Sequence, residues 1–403
     1  MKFVNALKRT SDDLGPVQST PPKRRKIFTQ FVSVGISPSD VLVAQTSATA
    51  PEDGTIAYRR DPIYYFDDGD IIVQAETTLF RVHAGNLVKL GGIFEELLSL
   101  PQPTGTDDAG YIDGVPVCPL FGTAPRDVRY LMAYAYGKIS PKITTAQIFD
   151  SLHWNSAVSL LHLSHMFDLV DVRREVIDAF EVVFPCKLGL TIAFPALAGI
   201  KKQDRGLFAR VYPLQAINLF QRYSLHAFMP MAYYRAAQLD ITDIVSGVIC
   251  SDGSRTTIRA TDVIKVLQGR ELLRRSRRNV LLCYFNDLVK NNDSNEPEPP
   301  SLECLDIPSR STGLTCAQYV VKLALDFNSS GYLDTKTDAL SILPPKAHDI
   351  FKSNFCSFCF KGAVNQMASG LGRNWDKLPS YFGLKDWEKV LEAQKLEDKR
   401  YED

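Results

Sequence analysis

Four cysteines near the C-terminus have the residue type and spacing for a metal site. Cys356 and Cys359 form a C-x-x-C pair, a spacing that lets two thiolates hold one zinc ion. Cys304 and Cys316 lie upstream, on either side of a segment that contains proline and serine. Together the four sulfur atoms would close a tetrahedral site, so the sequence predicts a structural zinc ion here.

Two other uses of these cysteines stay open. Cys304 and Cys316 do not have the spacing of a second C-x-x-C pair, so all four residues can instead be free thiols that pack as small apolar side chains. A redox-active C-x-x-C pair is expected at the junction of a strand and a helix, and no strand-to-helix pattern precedes Cys356. The sequence therefore favours a structural role for the cysteines over a redox role.

Two further patterns are similar to metal sites. His162 and His165 lie one helical turn apart in LHLSHMF, but no third ligand is near in sequence and their neighbours are apolar, so packing or capping is expected. From Asp326 the chain has the oxygen side chains and glycine of a calcium loop, yet Thr337 stands where that loop needs glutamate. A turn between helices explains the same residues, because Asn, Ser, Gly and Asp are common in turns.

Motifs of known catalytic sites are missing from the sequence. It contains no G-x-S-x-G elbow, no Walker loop, no H-E-x-x-H motif and no G-x-G-x-x-G after a strand. Carboxylates are plentiful, but none forms a recognisable pair of a general acid and a general base. The sequence therefore predicts no catalytic residues and a protein that is not an enzyme.

Composition limits the classes of partner. The 403 residues carry 46 basic and 46 acidic side chains, so the net charge is zero. A neutral chain has no global attraction to nucleic acid or to a membrane surface, and no apolar run has the length of a membrane span. Eight cysteines without a secretory signal peptide indicate reduced thiols in the nucleus, the cytoplasm or both.

The composition of residues 1–60 predicts a disordered tail with one basic cluster. The segment is rich in Ser, Thr, Pro and Asp, and its apolar residues show no sustained period. The cluster consists of Lys23, Arg24, Arg25 and Lys26. A short basic run in a flexible tail is typical of a nuclear import signal, although a merely solvated basic tail explains the same residues.

The segment from Asp70 to Pro103 predicts a strand, a turn, a second strand and a helix. Its first half alternates with period two, which places one set of side chains on a buried sheet face. Its second half has one apolar stripe at helical spacing, formed by Leu87, Leu90, Ile93, Phe94, Leu97 and Leu98. Gly91 and Gly92 interrupt this stripe, and each weakens a helix by about 1 kcal/mol relative to alanine.

This segment resembles the BTB/POZ family, and more narrowly the BTB proteins common in mushroom-forming fungi. The signature residues, through which the resemblance implies fold and partner binding, are Asp70, Phe80, His83, Leu87, Phe94 and Leu97. The resemblance continues through Gly114 to Gly137 and through helices between Ala146 and Phe184. One departure is Ala84, where the family usually has a basic residue.

The resemblance implies an α+β protein whose BTB/POZ fold, a small sheet flanked by α-helices, spans residues 61–187. A helical extension over 188–290, a linker over 291–312 and a mostly α-helical region with the cysteine site over 313–403 would follow. The implied function is a non-catalytic adaptor that binds partner proteins as a homodimer or hetero-oligomer. Recruitment of a cullin-type ubiquitin ligase scaffold is one use of such adaptors.

The alternative is a nuclear transcription regulator or a nucleic-acid-binding protein that uses the basic stretch 270–278. Arg270, Arg274, Arg277 and Arg278 would share one helical face, which can contact phosphates. No aromatic residues are interleaved with these arginines, so a solvated face above an apolar stripe explains them better. Nucleic acid is therefore not an expected partner.

Overall fold

The computed structural model describes residues 57–99, 110–141, 151–188, 207–250, 253–290, 312–329, 338–340 and 352–402. Within these ranges the chain is a mixed α+β protein with a five-stranded sheet, a two-stranded hairpin and many helices. The α+β class predicted from the sequence is therefore confirmed. The described residues 57–82 and 110–120 belong to one compact unit, the sheet unit, and the others belong to a second, the helical unit.

The sheet unit contains a hairpin flanked by three further strands. Its strands are β1 (Arg59–Tyr65), β2 (Ile71–Ala75), β3 (Thr78–Val82), β4 (Tyr111–Ile112) and β5 (Val115–Pro119). Their order in the sheet is β1-β3-β2-β5-β4. Strands β2 and β3 are antiparallel, whereas β5 is parallel to β2 and β1 is parallel to β3. The hairpin predicted from the sequence is confirmed.

Burial in the central strand extends to both faces of the sheet. Ile71, Ile72 and Val73 are all buried, although they point alternately to opposite faces. On one face Ile72 packs with Leu79 and Val115. The expectation that only one alternating set would be buried is therefore wrong for β2, because a central strand can be covered on both sides.

The helical unit holds thirteen α-helices within the described ranges. They are α1 (Ala84–Val88), α2 (Gly92–Ser99), α3 (Pro125–Ala135), α4 (Ser151–Phe167), α5 (Val170–Val183), α6 (Leu207–Arg222), α7 (Met229–Ala236), α8 (Ile241–Ser246), α9 (Ala260–Lys290), α10 (Cys316–Ser329), α11 (Ser357–Asp376), α12 (Leu378–Tyr381) and α13 (Trp387–Glu402). A 3-10 turn (His226–Phe228) precedes α7, and a small hairpin (Val248–Ile249 with Arg255–Thr256) precedes α9.

The single helix predicted over the Leu87 to Leu98 stripe is wrong, because α1 and α2 are separate. Gly91 lies between them and Gly92 is the first residue of α2, and their φ angles of 72° and 56° are in the left-handed region that favours glycine. A Cβ atom on Gly92 would lie 2.4 Å from the carbonyl oxygen of Asp168. The glycine pair therefore ends one helix and allows the next to start close to the backbone after α4.

Aromatic side chains form the centre of the helical unit. Trp154 of α4 and Phe220 of α6 each contact both Phe180 of α5 and Phe184, with ring centroids 4.9 to 6.2 Å apart. Such edge-to-face and tilted contacts add to the stabilisation from apolar burial. Helix α9, 31 residues long, packs against α7, α8, α10, α11 and α12. It thus joins the middle of the chain to its C-terminal helices.

No helix in the described ranges combines the length and the apolar character needed to cross a membrane.

Candidate metal centre

Three of the four predicted cysteines lie together in the helical unit. The sulfur atoms of Cys316, Cys356 and Cys359 are all within 4.8 Å of one another. Cys304 lies outside the described residues. The prediction of a cysteine cluster that can bind a metal is therefore confirmed for three ligands. We searched the described residues for sets of at least three His, Cys, Asp or Glu side chains that are close enough to bind one ion. These three cysteines form such a set.

Two helix N-termini position the three sulfur atoms. Cys316 is the first residue of α10, and a capping box fixes this start: Thr315 N–H donates to Gln318 Oε1 at 3.1 Å, and Gln318 N–H donates to Thr315 Oγ1 at 3.4 Å. Cys356 has extended backbone and caps α11, and Cys359 lies in the first turn of that helix. The C-x-x-C motif therefore spans the N-terminus of a 20-residue helix.

Backbone N–H groups face the sulfur atoms. Cys356 N–H donates to Cys316 Sγ at 3.3 Å, and Cys359 N–H donates to Cys356 Sγ at 3.4 Å. Helix N-termini carry partial positive charge, which stabilises negative charge on nearby groups. The local field and the N–H donors therefore both suit thiolates, the form in which cysteine binds a metal.

The surroundings of the cluster are apolar. Cys316 and Cys359 are buried, and Cys356 is partly buried. The buried residues that pack with them are Val280, Tyr319, Val320, Leu323, Phe355, Ala363 and Met367. Closely grouped sulfur ligands in an apolar pocket fit a thiophilic ion such as zinc, which would link the starts of α10 and α11.

The BTB/POZ signature residues mostly occupy the interior. Phe80, Leu87 and Phe94 are fully buried or nearly so, and the Phe94 ring lies 5.5 Å from the Phe167 ring. Leu97 is partly buried, and Asp70 is exposed, with its backbone N–H bonded to Val82 O. The buried members of this set therefore contribute to the packing of the fold.

His83 fixes the chain just after the second strand of the hairpin. Its ring Nδ1 lies 2.7 Å from the hydroxyl oxygen of Tyr136, and its backbone N–H donates to the same oxygen at 3.0 Å. Tyr136 is the C-cap of α3. This side chain thus ties the start of α1 to the end of α3.

His162 and His165 contact a tyrosine. His162 Nδ1 lies 2.8 Å from Tyr223 Oη, and the His165 ring is 5.2 Å from the Tyr223 ring. Burial is the main cause that lowers the pKa of both imidazoles, helped by Arg222 near His162 and by Arg173 near His165. These contacts agree with the packing role expected for the pair.

Several arginines of the basic stretch in α9 are buried or bonded to other groups of the protein. Arg270 donates to the carbonyl oxygens of Ala237 and Leu239 at 2.7 and 2.5 Å, and burial is the main cause that lowers its pKa. Arg277 is 1% exposed, whereas Arg278 is exposed. Arg274 instead pairs with Glu271. These positions favour structural roles over a continuous phosphate-binding face.

Two sequence predictions fall wholly or partly beyond the described ranges. The basic cluster Lys23 to Lys26 lies outside the described residues. In the calcium-loop pattern, Asp326 to Ser329 belongs to α10, and residues 330–337 are outside the described ranges.

No protein-family model matches the chain, and neither a curated protein sequence nor a solved structure matches it significantly. The BTB/POZ resemblance therefore remains a prediction from the residues.

Proposed function

We propose that this protein is a non-catalytic interaction adaptor with a BTB/POZ-type fold. The supporting observation is the order and pairing of its elements. The hairpin β2–β3 is followed by helices α1 and α2, then by β5, which is parallel to β2, and then by α3, α4 and α5. Apart from the division of the expected helix into α1 and α2, this order agrees with the series of elements that the family resemblance implies.

The connection between the hairpin and β5 supports the same proposal. Parallel strands cannot be joined by a tight turn and need a crossover segment. The crossover here contains α1 and α2, which carry the signature residues Leu87, Phe94 and Leu97. Three of the six signature residues thus lie in the segment that this topology requires.

Self-association is the first activity of the proposed adaptor. Strand β1 is at the edge of its sheet, and Ile63 on this strand is 59% exposed. Edge strands offer backbone groups and side chains to a second chain. We propose that a second copy covers this edge and that the oligomer then recruits a partner protein, a cullin-type ubiquitin ligase scaffold being the first candidate.

The second part of the proposal is a structural zinc ion held by Cys316, Cys356 and Cys359, with Cys304 as the fourth ligand. Metal analysis of the full chain, purified with reductant, should give about one zinc per chain. Cys356→Ser should abolish zinc retention. Cys250→Ser is the matched control, because this cysteine is partly buried but lies far along the chain, beside the small hairpin. A metal-free protein of unchanged stability would reject the zinc site.

Partner recovery tests the adaptor itself. The tagged full chain is purified from its native cells, and the bound proteins are quantified by mass spectrometry against a tag-only control. Recovery of a cullin scaffold with ubiquitin-transfer proteins supports the ligase adaptor. Recovery of chromatin proteins or transcription factors alone supports the nuclear regulator, consistent with the basic cluster at Lys23 to Lys26. Recovery of the chain without a second copy or a partner would reject the adaptor.

A further inference from the structure

The cluster of Cys316, Cys356 and Cys359, here called the cysteine centre, is also suited to thiol oxidation, because α11 begins at its C-x-x-C motif. Cys356 is the N-cap residue of this helix, and its sulfur accepts the backbone N–H of Cys359. Cys356 is partly buried, whereas Cys359 is 5% exposed. The more accessible cysteine therefore sits at the helix end, and a sheltered cysteine lies one turn further on. This is the arrangement in which one thiol meets an oxidant and a second thiol resolves the product.

We propose that Cys356 and Cys359 form a reversible disulfide when the protein meets a hydroperoxide, and that this reaction expels the metal. The disulfide follows from the positions of the two cysteines alone. The metal release rests on the proposed zinc site, since the same sulfur atoms cannot ligate an ion and be bonded to each other. The site would thus convert an oxidant signal into loss of the link between α10 and α11.

The proposed reaction is balanced with hydroperoxide as the oxidant. The Cys356 thiolate attacks one peroxide oxygen, the O–O bond breaks, and the leaving hydroxide takes up a proton to become water. The resulting sulfenic acid is attacked by the Cys359 sulfur, which gives up its proton as the S–S bond forms and the S–O bond breaks. A second water leaves, so two thiols are oxidised while one hydrogen peroxide is reduced to two waters. A dithiol reductant reverses the reaction by thiol–disulfide exchange.

The geometry assigns the two roles within the cluster. Cys316 is 4% exposed, and its sulfur accepts the backbone N–H of Cys356 from a different helix. A Cys356–Cys359 bond closes within one helical turn, whereas a bond to Cys316 would cross-link two helices. We therefore assign the attack to Cys356, the most accessible of the three, and its resolution to Cys359, and peptide mapping distinguishes this bond from one that contains Cys316.

The test exposes the reduced full chain to increasing hydrogen peroxide and follows three quantities. Peptide mapping identifies the disulfide, a dione probe traps sulfenic acid, and a chromogenic chelator reports released zinc. The expected product is a Cys356–Cys359 disulfide, with Cys356 oxidised roughly tenfold faster than Cys250. Cys359→Ser should leave trapped sulfenic acid at Cys356, and Cys356→Ser should give neither product. Cys250→Ser should behave as the unchanged protein.

The failures of the two proposals are distinguishable. A Cys356–Cys359 disulfide in protein that never held zinc supports the redox pair and rejects the metal site. Zinc binding without the disulfide overturns the redox proposal and leaves the metal site intact. A disulfide that contains Cys316, or oxidation of Cys250 before Cys356, also overturns the redox proposal. Chelator-treated protein is assayed in parallel, so protection by bound zinc cannot be mistaken for an unreactive pair.

Discussion

At the scale of single residues, the two histidines beside Tyr223 make stability depend on pH. The pKa of His162 and of His165 is lowered below the ordinary 6.5, so the unfolded chain binds protons that the folded chain resists. The stability of the folded state that depends on these neutral histidines is fully present above pH 6.5, and it is lost as the pH falls below that value. His162 is partly buried and His165 is exposed, so solvent screens both imidazoles and we expect a modest effect on the free energy of unfolding.

The measurement is urea unfolding at about pH 7.5 and about pH 5.5. The unchanged protein should lose more stability on acidification than a His162→Gln/His165→Gln variant. An equal loss in the two proteins would contradict the assignment to this pair.

Phe94 is the signature residue whose structural role is most easily measured. It is 1% exposed, and its ring packs near that of Phe167. Phe94→Ala should lower the free energy of unfolding by about 3–5 kcal/mol, because the truncation removes apolar contact and leaves a cavity. Leu97→Ala on the same helix should cost less, since Leu97 is only partly buried. Denaturant unfolding compares the two, and a larger loss for Leu97→Ala would contradict this packing.

At the scale of elements, the break between α1 and α2 depends on Gly92. Alanine at this position would combine a φ of 56° with a Cβ atom 2.4 Å from Asp168 O. Gly91→Ala is a matched control, because Gly91 also has positive φ but nothing lies within 4 Å of its added Cβ. Gly91→Ala should cost about 1–2 kcal/mol, and Gly92→Ala should cost clearly more. If thermal unfolding showed equal losses of stability for Gly91→Ala and Gly92→Ala, the close approach of Gly92 to the Asp168 backbone would be contradicted.

The sequence predicted the elements better than their exact ends. Period-two and helical spacing identify the hairpin and the apolar stripe, because both are local properties of the chain. The break at Gly91–Gly92 depends on the backbone of Asp168, which lies far away in sequence. Local spacing therefore indicated a weakened helix, whereas the structure has two helices.

The sequence also predicted the cysteine centre only in part, because one of its three cysteines comes from a distant part of the chain. The C-x-x-C spacing identified Cys356 and Cys359, but only the fold brings Cys316 next to them from 40 residues away. The sequence argument against a redox role was based on the absence of a strand before Cys356. The structure has a helix N-terminus there with Cys356 at the N-cap position, and the redox proposal is based on this position, which the spacing alone does not reveal.

At the scale of the whole molecule, the C-terminal helix packs back on the middle of the helical unit. Gln394 of α13 accepts the backbone N–H of Ala227 at 3.3 Å, and α13 packs on the 3-10 turn that contains Ala227. Trp375 and Trp387 stack with centroids 4.7 Å apart. The C-terminal region is therefore part of the folded helical body, so experiments on the proposed adaptor should use the full chain.

We propose that this chain associates with itself through the BTB/POZ-type unit, and sedimentation velocity of the full chain tests this proposal. We expect a concentration-dependent species of twice the 45.0 kDa chain mass. Ile63→Asp should shift the equilibrium towards the monomer. Leu396→Asp should leave it unchanged, although Leu396 on α13 is equally exposed, at 59%. A folded protein that stays at 45.0 kDa at every concentration would contradict the claim.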